Sequence, residues 1–247
     1  MSDTLSLSAA PVVPAGPTVK KGLLKAAIGL SYSHVRAQLA SGLTLFLGKP
    51  LASPLALPFC APWLEQGETV VAVDGANCFN LYRLTEWAKR KRLDSPALLQ
   101  RLRIARAFTP FQLVTILHHI GSDLDHHRAT RLVITGLPDC LYDEELSEPE
   151  ARNTFARCHK NLLRLAERHT VLAFSDAPTH PIGRRRAFLD ELVSEARLVL
   201  EVNPTEPETT PLRRGRFSFV PVKAPGLLTI PTKETWQGEE TKEADEA

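Results

Sequence analysis

Apolar residues fall along this chain in two rhythms. Short continuous apolar runs alternate with longer stretches in which apolar positions recur every three or four residues. The continuous runs are Gly42–Leu47 (GLTLFL), Thr69–Val73, Arg131–Thr135 (RLVIT), Thr170–Phe174 (TVLAF) and Ala196–Val202, with a briefer one at Arg103–Arg106. Runs of that length predict strands buried on both faces. Helical spacing predicts helices at Lys20–Leu39, broken near Gly29, and at Leu51–Gln66, kinked by Pro54, Pro58 and Pro62. Further helices are predicted at Phe79–Arg92, Ser147–Arg168 and Arg184–Ser194. One more begins at Ser95-Pro96, serine as cap and proline first, and another runs from Thr109-Pro110 to about His119. The stretch SEPE from Ser147 has the form of a capping box. Arg216–Val222 (RFSFVPV) alternates like a half-exposed strand that Leu227–Ile230 would pair with. Strands alternating with helices predict an α/β fold. Its sheet would be mostly parallel, with helices on both faces and an antiparallel C-terminal edge.

Composition adds bounds. The chain has 247 residues, enough for one large core; 43% are hydrophobic and 23% charged, as in ordinary globular proteins. No run of 18 apolar residues occurs, so no membrane span is expected, and the N-terminal residues lack the order of a secretory signal. Cys60, Cys78, Cys140 and Cys158 stand far apart without a CxxC pair. They read as buried thiols of a reducing, cytoplasmic compartment. The predicted organisation is an unstructured segment at 1–18, a helical arm at 19–40, an α/β core at 41–231 and an acidic unstructured tail at 232–247.

Charge is uneven. The formal net charge is +2; the last sixteen residues carry six acids and two lysines, −4, which leaves +6 on residues 1–231. The basic excess gathers at Lys89-Arg90-Lys91-Arg92, at Arg184-Arg185-Arg186, and at Arg213-Arg214 with Arg216. Each cluster alone reads as a solvated surface; three together make a polyanion such as DNA a plausible partner.

Open α/β sheets bind ligands at the carboxyl ends of their strands. Here those ends are Gly48-Lys49, Asp74-Gly75-Ala76-Asn77, Thr135-Gly136 and Ser175-Asp176. Asp74 thus stands where chemistry usually sits, although an acid there also caps turns. Tyr82 and Trp87, on the helix that follows, read as packing residues.

The stretch VVAVDGANCFNLYRLTEWAKRKRLDSPALLQRLRIARAFTPFQLVTIL, residues 70–117, resembles the middle of the RecA-type recombinase core, within the RecA-like P-loop NTPase superfamily. Leu93-Asp94-Ser95-Pro96, Ala105-Arg106-Ala107-Phe108 and Gln112-Leu113 hold the places of that family's motifs. More weakly, GLTLFLGKPLASPLALPF resembles the strand, phosphate loop and first helix, RLVITGLPDCLYDEE the strand of the second nucleotide motif, and TVLAFSDAP the strand after it. The resemblance implies a nucleotide fold in which the Asp74 strand is flanked by those of Leu43–Leu47 and Leu132–Thr135. It also implies head-to-tail assembly, with the arm at 20–39 as a contact.

The chemistry that the resemblance would carry is missing. A phosphate loop needs G-x-x-x-x-G-K-[ST]. Here Gly48-Lys49-Pro50-Leu51-Ala52-Ser53 offers no second glycine and no lysine before Ser53. Thr135 ends the strand where the second motif has aspartate, and Ala76 stands where the catalytic glutamate would fall. Without the lysine, the metal acid and the water-orienting acid, phosphoryl transfer loses most of its catalysis. The residues Gly48, Lys49, Ser53, Asp74 and Thr135 then mark a degenerate nucleotide site; no cofactor is required, and the one such a site could take is ATP with magnesium, bound without turnover. The expected role is accessory to DNA recombination or repair, through DNA or a partner protein such as a recombinase. The family's DNA-binding loops map to 136–147, where Tyr142-Asp143-Glu144-Glu145 would repel DNA, and to 175–183, which leads into Arg184-Arg185-Arg186. Arg213 and Arg214 are the other candidate DNA contacts.

Two further readings compete. VVAVDGAN also resembles the first strand of PIN/NYN-type nucleases, which would make Asp74, Asn77, Asp176 and either Asp139 or Asp143 a divalent-metal site. The stretch HHIGSDLDHH, His118–His127, could hold zinc or nickel on one helix, but Gly121 is expected to interrupt it and a solvated helix end is the commoner outcome. No G-x-S-x-G elbow exists for a hydrolase triad.

Overall fold

The computed structural model describes residues 32–48, 52–176, 185–204 and 217–223. The expectations for residues 1–31, 227–230 and 232–247, and for Lys49, Arg184, Arg213 and Arg214, lie outside the described residues. The seven strands are β1 (Gly42–Leu47), β2 (Val70–Asp74), β3 (Leu102–Arg106), β4 (Arg131–Thr135), β5 (Thr170–Ser175), β6 (Leu198–Pro204) and β7 (Phe217–Lys223). They form one sheet in the order β3-β2-β4-β5-β1-β6-β7. All neighbours pair in parallel except β6 and β7. The α/β class, the mostly parallel sheet and the antiparallel C-terminal edge follow the sequence pattern.

The continuous apolar runs have a simple cause. Successive side chains of a strand point to opposite faces, and here both faces are covered. Val71, Val73, Ile134 and Ala173 face a core built with α5 (Pro110–His126), α6 (Glu148–Ala166) and α7 (Arg186–Glu195). Val70, Ala72, Val133 and Leu172 face a second core built with α2 (Ala56–Glu65), α3 (Leu81–Arg90) and α4 (Ser95–Arg101). Burial of each such side chain contributes about 1.5–3 kcal/mol. The second core is aromatic beneath β1: Phe46 stacks on Phe174 with centroids 4.4 Å apart, and Phe59 and Phe219 close around the pair. The short α1 (Tyr32–Ala37) adds Val35 to this core. Among the described residues no helix is long and apolar enough to cross a membrane.

Three local expectations need correction. β2 is flanked by β3 and β4, not by β1, which lies between β5 and β6. Sequence order reports connections; it does not report which strands share hydrogen bonds. β7 pairs with β6. The cap of α4 is Asp94, whose side chain accepts from Ala97 N at 3.3 Å, one residue before the serine expected there. Helix α5 does not stop near His119: it continues through Gly121 to His126. A mid-helix glycine costs about 1 kcal/mol, and burial of Leu117, Ile120 and Leu124 outweighs it.

Candidate functional site

The carboxyl edge of the sheet is held together by buried polar groups. Asp74 is fully buried at the end of β2. Its Oδ1 accepts from Cys78 N at 2.9 Å and from Thr135 Oγ1 at 3.0 Å, and its Oδ2 accepts from Phe79 N at 3.1 Å. Arg106, at the end of β3, brings its Nε to 3.5 Å from Oδ2 and ties down the same turn by donating to Asn77 Oδ1 and the Phe79 carbonyl. Thr135 Oγ1 in turn accepts from Ala76 N at 3.3 Å. A buried carboxylate is tolerated when hydrogen bonds and an opposite charge meet it, and all of them here come from the chain itself.

Two glycines make this closure possible. Gly136 has φ +81°, and a Cβ on it would stand 2.5 Å from the Gly75 carbonyl carbon; a Cβ on Gly75 would stand 2.7 Å from the Thr135 carbonyl oxygen. The exits of β2 and β4 therefore touch backbone to backbone, joined by Gly75 N donating to the Thr135 carbonyl at 3.0 Å.

The other half of the edge spans β5 and β1. Strand β1 leads to a helix on one face, and its neighbour β5 to a helix on the other, an arrangement that opens a ligand crevice in sheets of this kind. In this crevice Asp176 Oδ1 accepts from Ser53 N at 3.1 Å, in the 3₁₀ turn Ser53–Leu55 that precedes α2. Amides at such a turn are where a phosphate would bind. Asp139, after β4, accepts from Ser175 Oγ at 2.7 Å and from Asp176 N at 2.9 Å. Burial raises the Asp139 carboxyl above the ordinary carboxylate range and the neighbouring Asp176 adds to the rise, while its two hydrogen bonds oppose it. The circuit closes where Cys78 Sγ donates to the Ser53 carbonyl at 3.3 Å. Burial pushes the Cys78 thiol up to about 12.

Gly48, Ser53, Asp74 and Thr135 are thus brought to one edge and all are buried. Gly48 ends β1 with its N–H on the Ser175 carbonyl at 3.1 Å. Asp176 joins them, while Asp143 is exposed and accepts from Glu145 N in its own turn. Among the described residues no three His, Cys, Asp or Glu side chains are grouped to hold a metal ion.

The basic residues separate. Arg186 is exposed at the start of α7. Arg185 is buried, and its guanidinium donates to the carbonyls of Leu141, Asp143 and Leu146, pinning the loop after β4. It is therefore not part of a solvated cluster. Trp87 packs on the second core as expected, with Lys91 Nζ 5.3 Å from its ring centroid. Tyr82 does not pack: it is 82% exposed, and Phe108 and Phe111 are exposed too.

Comparison with models of known families and with curated proteins finds no match. The functional reading therefore rests on the geometry and on the sequence resemblance.

Arg106 and Cys78 are the members of this edge that sequence reasoning missed as functional positions. Arg106 was visible in the sequence only as part of the ARAF stretch; its place beside Asp74, in register across β2 and β3, needed the folded chain. Cys78 gave no signal, because its partner Ser53 is 25 residues away.

Proposed function

We propose that this chain is a RecA-like core that no longer turns over ATP and acts as a binding module in DNA recombination or repair. The observation that carries the reading is the Asp176 carboxylate on the Ser53 amide. A carboxylate at the turn before α2 takes an N–H that a nucleotide phosphate would need, and its charge repels a second anion. The absent lysine, metal acid and water-orienting acid agree with it. The β1–β2 adjacency implied by the resemblance fails, although the turn after β1 still meets the turn after β2. Ser53 and Cys78 make that contact.

A partner protein or DNA is the ligand of this reading. For a protein, β3 is a free edge of the sheet among the described residues, and Tyr82, Phe108 and Phe111 are exposed on the segments that flank its carboxyl end. Unpaired strand edges with apolar neighbours are surfaces that partners cover. For DNA, Arg186 is an exposed cation, with Arg184, Arg213 and Arg214 adding charge of the same sign. The metal-nuclease reading gains no support, since the Asp74 oxygens are all engaged within the fold.

Two measurements test the proposal. An ATPase assay on the full chain with ATP and magnesium is expected to give no turnover; brisk turnover overturns the reading. Binding of single-stranded DNA is expected to weaken with salt and to weaken further in an Arg184→Ala/Arg186→Ala variant. Equal binding by both proteins removes the DNA arm and leaves the protein partner.

A further inference from the structure

The opposite edge of the molecule carries a polar groove that the nucleotide fold does not use. It lies between the C-terminal half of α5, the last turn of α6 and the start of β5, and encloses about 290 Å³. His118, His119 and Asp125 line it from α5, Arg164 from α6, and Arg168 and His169 from the link to β5. His118 and His119 meet edge to face at 4.8 Å.

Cations in a last helical turn usually serve the free carbonyls of their own helix. These arginines reach across instead. Arg164 Nη2 donates to the His118 carbonyl at 3.3 Å, and Arg168 Nη2 to Asp125 Oδ1 at 3.3 Å. Each guanidinium has five N–H donors, so both are oriented at the groove with donors to spare. One acid, Asp125, stands against two arginines.

His169 supplies a second, independent observation. It is nine-tenths buried, and its Nδ1 has no hydrogen-bond partner among the described residues. Its backbone is fixed at both ends, the N–H on the Leu165 carbonyl and the carbonyl on Gly42 N. Its ring lines the groove, and a buried ring nitrogen left without a partner is destabilising.

We propose that this groove binds a small phosphorylated anion, held by Arg164 and Arg168 in the charge-assisted geometry that guanidinium offers phosphoryl oxygens, with the imidazoles of His118, His119 and His169 as further donors. A metal ion does not fit, because no three ligating side chains converge here. The groove is short, which favours a compact phosphate over a polymer backbone that needs a track of cations.

The test is calorimetric titration of the full chain with pyrophosphate at low salt. One-to-one saturable binding is expected. Arg164→Gln and Arg168→Gln should each weaken it about tenfold, the effect of losing one charge-assisted hydrogen bond. Arg103→Gln, which removes the same charge from exposed β3, should leave it unchanged. His169→Phe should weaken it too, with a thermal melt to establish that the variant is folded. Absence of saturable heat, or equal weakening by Arg103→Gln, overturns the proposal. So does a short single-stranded oligonucleotide that displaces pyrophosphate at lower concentration than pyrophosphate itself saturates, since the groove would then serve a polymer.

Discussion

The two edges of this sheet treat polar groups in opposite ways. At the carboxyl edge Asp74, Thr135, Asp139, Asp176 and the Ser53 amide are tied to one another and to backbone amides, so the chain's own carboxylates occupy the space where a ligand would sit, and the Ser53 hydroxyl alone of that set has no partner among the described residues. At the amino edge, between α5 and α6, two guanidiniums and a histidine are positioned with hydrogen-bonding capacity left over. Satisfied buried networks stiffen a fold, whereas unsatisfied ones signal a missing partner. Location at the strand carboxyl ends is therefore a poorer guide here than the accounting of donors and acceptors.

If that contrast is right, substitutions at the carboxyl edge cost stability and those at the amino edge cost binding. The largest effect should come from Gly136→Ala. Its φ of +81° disfavours a side chain, and the Cβ would collide with the Gly75 backbone. A loss of at least about 3 kcal/mol is expected, read as the shift of the urea midpoint. Asp74→Ala should follow, at about 2–3 kcal/mol, because Thr135 Oγ1 and two amides lose their acceptor. Thr135→Val should cost about 1 kcal/mol in the same assay, since one hydroxyl serves both Asp74 and Ala76. Smallest of all, Arg164→Gln or Arg168→Gln should change stability by less than about 0.5 kcal/mol. Should the arginine variants prove as costly as Asp74→Ala, the division between the two edges disappears.

Acidity sharpens the same contrast. The Asp139 carboxyl is raised above its ordinary value of 3.8, chiefly by burial. The folded state therefore holds that proton more tightly than the unfolded chain does. Its contribution to stability is complete below the unfolded value and declines as pH rises through the folded one. Denaturation midpoints measured across the acid range should fall with rising pH in that window, and Asp139→Asn should lose that component of the slope. The Cys78 and Cys158 thiols, both raised to about 12 by burial, stay protonated at neutral pH and should alkylate slowly in the native protein. Rapid labelling of Cys78 by iodoacetamide would mean that the turn beside Asp74 opens easily.

What could be read from sequence depended on the range of the cause. GLTLFL and RLVIT mark β1 and β4 to the residue, because burial on both faces leaves an uninterrupted apolar run. The capping box at Ser147 is a four-residue affair and was equally legible. Gly121 misled because helix propensity is local, while α5 is held by apolar side chains packed against the sheet and α6. Arg185 misled in the other direction: three consecutive arginines look like surface, yet this one is buried by carbonyls about forty residues earlier in the chain. Strand adjacency is the longest-range property of all. Nothing in the runs themselves says that β4 and β5 lie between β2 and β1. At the candidate site, Asp74 and Thr135 were placed correctly at strand ends, while the links Asp176–Ser53 and Cys78–Ser53 needed the folded chain.

The bond from Asp176 to Ser53 has one more consequence. A protein that recruits its anion from solution gains stability that grows with the logarithm of ligand concentration. Here the anion is tethered, so its local concentration is set by covalent connection and never varies. The turn before α2 is as well supplied in dilute buffer as in a cell rich in metabolites.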